Sequence, residues 1–385
     1  MKFIQINIAR LSYLLKLFDI SEEDLLSQIS RGLKAPLKHQ EIFGDRIKLS
    51  HLKKIDNVFK KGLHFYLDPK TPVESRDASI FFRKTSFNTE LNVGARAIVN
   101  HFEEEKLSLS AISKLASFKI ERKLPVYTLK DNPKEVADSV RTTLYPTFSR
   151  DLKGFLKLLI GKLSDNNIFV SEFVETWNKK ERANIDGFYL APNFIVLKRQ
   201  QKSFRREIFT LMHELGHYLL EEEEIEELDL QQVSKYPLAS IERWCHDFAY
   251  YFLVKDYDKV ISGINDANAR NEYRRDVIDD VRNHTHLSRR ALYTRLLLQK
   301  QISARAYNII KEEEERSLRE RQIQEQKERE RQKEMGIESE GGQPKPILSP
   351  LFIKTVQIAF LEGVINESEL CKKLRIKTIN LEMAP

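Results

Sequence analysis

One pentapeptide, His213-Glu214-Leu215-Gly216-His217, constrains this chain more than any other feature. Histidines at i and i+4 stand one turn apart on one face of a helix, so both rings can reach one metal ion. The surrounding segment, 203–221, has strong helical periodicity. On a helical wheel Leu211, Met212, Leu215 and Leu219 gather on one side. His213 and His217 project from the other, with Glu214 between that face and the edge. The pattern predicts a helix with an apolar side for packing and a polar side for a site. Two histidines and a glutamate beside so many aliphatics are costly to bury unless they are paired or bind a metal.

A catalytic zinc takes three protein ligands and keeps one position for water, so a further donor must come from elsewhere. The segment Ile241-Glu242-Arg243-Trp244-Cys245-His246 begins a second predicted helix, near 237–254. Ile241, Trp244, Cys245, Phe248 and Phe252 form its apolar stripe, which can pack beside the first helix. Glu242 flanks that stripe near the helix start. His246, one turn later, is the other candidate, as a ligand or as a partner supporting one. Cys245 lies on the apolar stripe and reads as buried packing rather than as a nucleophile. Tyr218, Tyr250, Tyr251, His284 and His286 could each serve an oxyanion, and spacing selects none of them. His284 and His286 read as exposed loop residues, and the acidic run at 221–227 as a solvated loop.

These residues resemble a known family. FTLMHELGHYLL followed by IERWCHDFAYYFL is similar to the ImmA/IrrE zinc metallopeptidases. Arg206, Phe209, Thr210 and Leu211 match the part before the histidines, and Glu242, Cys245, Phe248 and Ala249 match the later segment. Two predicted strands, GFYLAP and NFIVLKR, fall where the family has a small sheet. The stretch 287–303 resembles its Ser-x-x-Ala-Leu-x-x-Arg-Leu segment. His246 departs from the family, which usually has Asn there. The resemblance covers 131–310 and implies a zincin-like peptidase. Zn2+ would sit on His213, His217 and Glu242, and Glu214 would be the general base. It also implies a specific protein substrate, a transcriptional repressor or antitoxin-like regulator, in a stress, mobile-element or phage-defence setting.

Composition sets the rest. The chain has 385 residues and a net charge of +7. Residues 1–130 hold 23 Lys and Arg against 15 Asp and Glu, and the remainder 41 against 42. DNA or acidic-partner contact therefore maps to residues 1–130. Residues 9–67 faintly resemble the repressor-type helix-turn-helix often joined to this family. Pro36 and an irregular pattern fall where the recognition helix would be, so the module reads as degenerate. The competing reading is a DNA-binding regulator or antitoxin whose peptidase-like domain is not used for catalysis. Two cysteines, Cys245 and Cys371, exclude a disulfide framework and a cysteine-rich zinc cluster and point to the cytoplasm. No apolar run is long enough for a membrane span, and the first residues lack a secretory pattern.

The expected fold class is mainly α with a small β-sheet (α+β). A helical, degenerate helix-turn-helix-like region (1–67) precedes a helical connecting region (68–130). A metallopeptidase domain follows at 131–310, with candidate helices at 133–144 and 151–164. A polar helix and linker (311–343) lead to a small helical module, 344–385, which the polar rod would hold at a distance or which would fold back onto the peptidase.

Overall fold

The computed structural model describes residues 3–33, 35–72, 74, 79–83, 91–174, 182–199, 203–226, 240–335 and 345–376. The architecture is mainly helical with two small sheets. The chain divides into two compact units, Met1–Ser108 with Thr176–Ile185, and Leu109–Glu175 with Asp186–Pro385.

The first unit contains β1 (Phe3–Gln5), α1 (Ile8–Phe18), α2 (Glu22–Ser30), α3 (His39–Ile42), β2 (Arg46–Lys48), α4 (Leu49–Phe59), α5 (Leu63–Leu67), α6 (Ile80–Arg83) and the start of α7 (Val93–Leu115). Asn7 and Ser21 cap α1 and α2 by accepting from Ala9 N–H and Asp24 N–H. Leu11, Leu14, Phe18, Leu25, Leu52, Ile55 and Phe59 close the core, with Phe18 edge-on to Phe59 at 5.1 Å. β1 and β2, absent from the sequence expectation, pair antiparallel with Phe3 opposite Lys48. Between α2 and α4 the described residues hold only the four-residue α3 and β2.

The second unit holds α8 (Pro133–Leu144), α9 (Leu152–Asp165), β3 (Phe169–Val174), β4 (Gly187–Leu190), β5 (Phe194–Arg199), α10 (Phe204–Leu220), β6 (Ile225–Glu226), α11 (Ser240–Val254), α12 (Asp258–Ser262), α13 (Arg275–His284), α14 (Arg289–Leu298), α15 (Ala304–Glu334), α16 (Pro350–Leu361) and α17 (Glu367–Leu374). The sheet order is β3-β5-β4-β6. β3 is parallel to β5, while β4 is antiparallel to both β5 and β6. α10 lies on β4 and β5, and α11 packs between α8 and α10.

Three expectations change. The acidic run is not simply a solvated loop: Ile225 is fully buried, β6 pairs with β4 at Gly187 and Phe188, and Glu223 accepts from Ala191 N–H at 2.8 Å. Glu227 lies outside the described residues. The polar rod is the distal part of one helix, α15, whose first turns bury Ala306, Tyr307 and Ile310. The C-terminal module is not held at a distance, because α16 packs on α9 and β3. Ser349 and Ser164 hydroxyls meet at 2.8 Å, and Ile347 N–H donates to Glu172 Oε2 at 2.5 Å.

Glu172 is buried beside Arg199, which also pairs with Glu207 at 2.6 Å. Burial lifts the Glu172 carboxyl from its usual 4.5 to about 7. The folded chain therefore binds this proton more tightly than the unfolded one. The resulting stabilisation is complete below the ordinary pKa and is lost as pH rises through about 7. Urea unfolding at pH 5 and pH 8 should show a smaller loss of stability with rising pH in Glu172→Gln than in wild type. An identical decline in the variant would contradict the assignment.

The crossing of α10 and α11 is close at one point. A Cβ placed on Gly216 would lie 3.0 Å from Cys245 Cα and Cβ. Gly216 thus allows a backbone approach that any larger residue would open. Gly161, inside α9, has nothing within 4 Å of such an atom. Gly216→Ala should cost about 1–3 kcal/mol through overpacking. Gly161→Ala should be neutral or stabilise by up to about 1 kcal/mol, because alanine is the better helix former. Thermal denaturation of the two variants tests the contrast, and equal effects would refute it.

Candidate metal centre

Ser203 caps α10 by accepting from Arg206 N–H. From Glu207 to Leu220 every residue of α10 is buried. The expected polar face is therefore present in residue type but not in solvent exposure, because α11 covers it. α10 carries His213 and His217 and α11 carries Glu242, each no more than 2% exposed.

The donor atoms converge. His213 Nε2 lies 3.0 Å from Glu242 Oε2 and 3.2 Å from His217 Nε2. His217 Nε2 lies 3.2 Å from Glu242 Oε1, without hydrogen-bond alignment. Bond lengths of about 2.0–2.1 Å around a tetrahedral zinc imply donors about 3.3 Å apart. Each separation is close to that length, with one carboxylate oxygen turned to each ring, and one donor atom from each residue can share an ion, so the residues fit it. Of the described His, Cys, Asp and Glu residues, these three form the group able to share a metal.

The shell around them orients the donors. His217 Nδ1 is 3.1 Å from the Glu222 carbonyl, so it carries the proton and leaves the Nε2 lone pair facing Glu242 and His213. Burial opposes charge on Glu242, but the two imidazoles beside it, His213 first, outweigh that and hold the carboxylate well below its usual range. Burial pushes the His213 pKa down.

Glu214 is buried, and its Oε2 has no hydrogen-bond partner among the described residues. Burial is the main reason its pKa rises to about 8, with the Glu242 charge adding to the effect. The carboxyl is thus poised to exchange a proton near neutrality. Strand β4 passes close over this side chain. A Cβ on Gly187 would lie 2.8 Å from Thr210 Cγ2 and 3.3 Å from Glu214 Cγ.

His246 sits one turn after Glu242, fully buried and edge-on to Phe209 at 5.1 Å. Neither ring nitrogen finds a hydrogen-bond partner among the described residues, and the side chain lies outside the convergent group. Burial lowers its pKa to about 3, so the ring is neutral.

Most of the other candidates are engaged elsewhere. Tyr250 donates to Asp258, and Tyr251 accepts from Arg295. Tyr218 differs: its ring lies under Arg122 at 3.9 Å, while its buried hydroxyl has no hydrogen-bond partner among the described residues. His284 Nδ1 is 2.9 Å from the Asp280 carbonyl. His286 is buried rather than exposed. It stacks on Phe155 at 3.5 Å, with Tyr145 and the Ser149 carbonyl on its two nitrogens.

Two arginines quoted for the resemblance acquire physical roles. Arg206 pairs with Asp186, pinning the start of β4 to α10. Arg295 joins α14 to α11 by pairing with Asp247 at 2.6 Å and lying over the Tyr250 and Tyr251 rings. Gly187 and the Glu222 carbonyl were not identifiable from sequence as parts of the centre. Gly187 reads there as a strand boundary, and a main-chain acceptor leaves no trace in residue type.

No curated protein and no solved structure matches the chain. The family model of Peptidase_M78, the IrrE N-terminal-like domain, matches residues 167–296, about a third of the chain. That span runs from just before β3 into α14 and contains all three convergent donors, so the second unit carries a metallopeptidase-like domain.

Proposed function

We propose that this chain is a zinc-dependent endopeptidase acting on one specific protein partner. The observation that carries the reading is the convergence of His213, His217 and Glu242 on one buried point. Glu214 stands on the same helix turn, its acidity shifted toward neutrality.

His213, His217 and Glu242 would hold the ion, which when bound supplies the Lewis acidity that activates water and polarises a peptide carbonyl. Glu214 takes the proton from the attacking water and returns it to the departing amide nitrogen. A carboxyl with an elevated pKa suits both halves of that exchange. The Glu222 carbonyl keeps His217 in the tautomer that offers Nε2.

The resemblance to ImmA/IrrE peptidases leads us to a transcriptional repressor or antitoxin-like regulator as substrate, in a stress, mobile-element or phage-defence setting. Recognition is assigned to residues 1–130, which carry the excess of Lys and Arg over Asp and Glu. That region is proposed as a degenerate repressor-type module that reads a protein partner, with DNA as its other candidate ligand. The protein is proposed to work in the cytoplasm. No helix among the described residues is long and apolar enough to cross a membrane.

The test is co-expression of the chain with its neighbouring gene products. Wild type should make one cut that chelator abolishes. Glu214→Gln should slow it by at least about 100-fold while keeping the bound zinc. Glu242→Gln should lose the ion. Normal cleavage by Glu214→Gln would refute the assigned base, and full zinc retention by Glu242→Gln would refute the ligand set.

A further inference from the structure

A cavity of about 350 Å³ lies in the same unit; Arg206, Phe209 and Thr210 of α10 help to line it, but none of His213, Glu214, His217 and Glu242 does. It is framed by the first turns of α10 and α14, by α13 and by α15. Six arginines line it against three glutamates. Four of the six are matched by carboxylates: Arg206 by Asp186, Arg275 by Glu313, Arg289 by Asp279, and Arg290 by Glu314 and Glu315.

Among the described residues Arg205 has no carboxylate partner and Arg282 forms no ion pair, although the Arg282 charge reaches Glu314 on the same lining. Arg205 is half-buried and donates to the carbonyls of Thr285 and Leu287, at 2.6 and 2.9 Å. Arg282 makes no hydrogen bond or ion pair among the described residues. The two guanidiniums are near enough to repel. Burial and then the Arg282 charge push the Arg205 pKa down to about 10. Six guanidiniums against the five carboxylates that pair with them leave a positive excess, which an anion between Arg205 and Arg282 would offset.

Other features of the lining point the same way. The capped N-termini of α10 and α14 open onto the space, and first-turn N–H groups there favour negative charge. Phe209, Tyr293, Ala291 and Ile310 supply an apolar wall. The volume lies at the small end of ligand pockets. Guanidinium forks suit phosphate oxygens, and aromatic faces suit a flat ring.

We propose that this cavity binds a phosphate-bearing small molecule with a flat apolar body, of the nucleoside monophosphate class. The phosphate bridges Arg205 and Arg282, and the ring lies against Phe209 and Tyr293. The proposal is independent of the peptidase reading, since no ligand of the metal centre takes part.

Calorimetric titration of the full chain with AMP tests it, with adenosine, inorganic phosphate and a hexaglutamate peptide as separate titrants. AMP should bind with a Kd below about 1 mM. Inorganic phosphate should bind at least tenfold more weakly, and adenosine should give no heat. Arg282→Gln should weaken AMP at least tenfold. Arg282→Lys, which keeps the charge but loses the fork, should fall between, and it carries the test if the glutamine variant does not fold. The proposal is overturned if AMP gives no heat at 5-fold this concentration, or if adenosine or inorganic phosphate binds as well as AMP. It is also overturned if the peptide binds more tightly than AMP, or if both Arg282 variants bind AMP like wild type.

Discussion

The close crossing of α10 and α11 is the constraint on which the rest of the second unit depends. Gly216 lets the α11 backbone approach at Cys245, and that approach brings Glu242 onto the paired imidazoles. A side chain at position 216 would separate the helices and move the carboxylate away from both rings. The glycine inside HELGH is thus a packing requirement as much as part of a catalytic pattern. Trp244 adds a second tie, stacking on Phe248 and donating to the Asp131 carbonyl at 2.8 Å.

Around this crossing, buried and half-buried charges hold the scaffold in register. Arg206 and Asp186 set β4 against α10, and Arg295 and Asp247 set α14 against α11. Arg199 joins Glu207 on α10 to Glu172 on β3, and Glu172 in turn receives the Ile347 N–H. The C-terminal module is therefore anchored through the same polar group that ties the sheet to the central helix. Breaking one member of such a buried group leaves the others uncompensated, which makes the arrangement specific in geometry.

Much of this was legible in local sequence. α8 begins where Asn132-Pro133 announces it, because caps act within a few residues. The two histidines were legible because i and i+4 share a face on any helix. Glu242 and His246 could not be separated by spacing, since both lie near the same stripe. Packing separates them, by placing the carboxylate between the imidazoles and leaving His246 against Phe209. The burial of α10 from Glu207 onward, the strand at Ile225 and the burial of His286 stayed hidden because each depends on partners remote in sequence. His286, for example, meets the Ser149 carbonyl 137 residues away. The arginine-lined cavity needs four helices assembled before it exists.

The central claim is that two imidazoles and one carboxylate hold a single ion. X-ray absorption spectroscopy of the zinc-loaded chain tests it most directly. The account predicts one zinc per chain, with only nitrogen and oxygen neighbours at about 2.0–2.2 Å and scattering from two imidazole rings. A sulfur neighbour near 2.3 Å, which would bring Cys245 into the coordination sphere, would contradict it. So would a spectrum with no imidazole scattering.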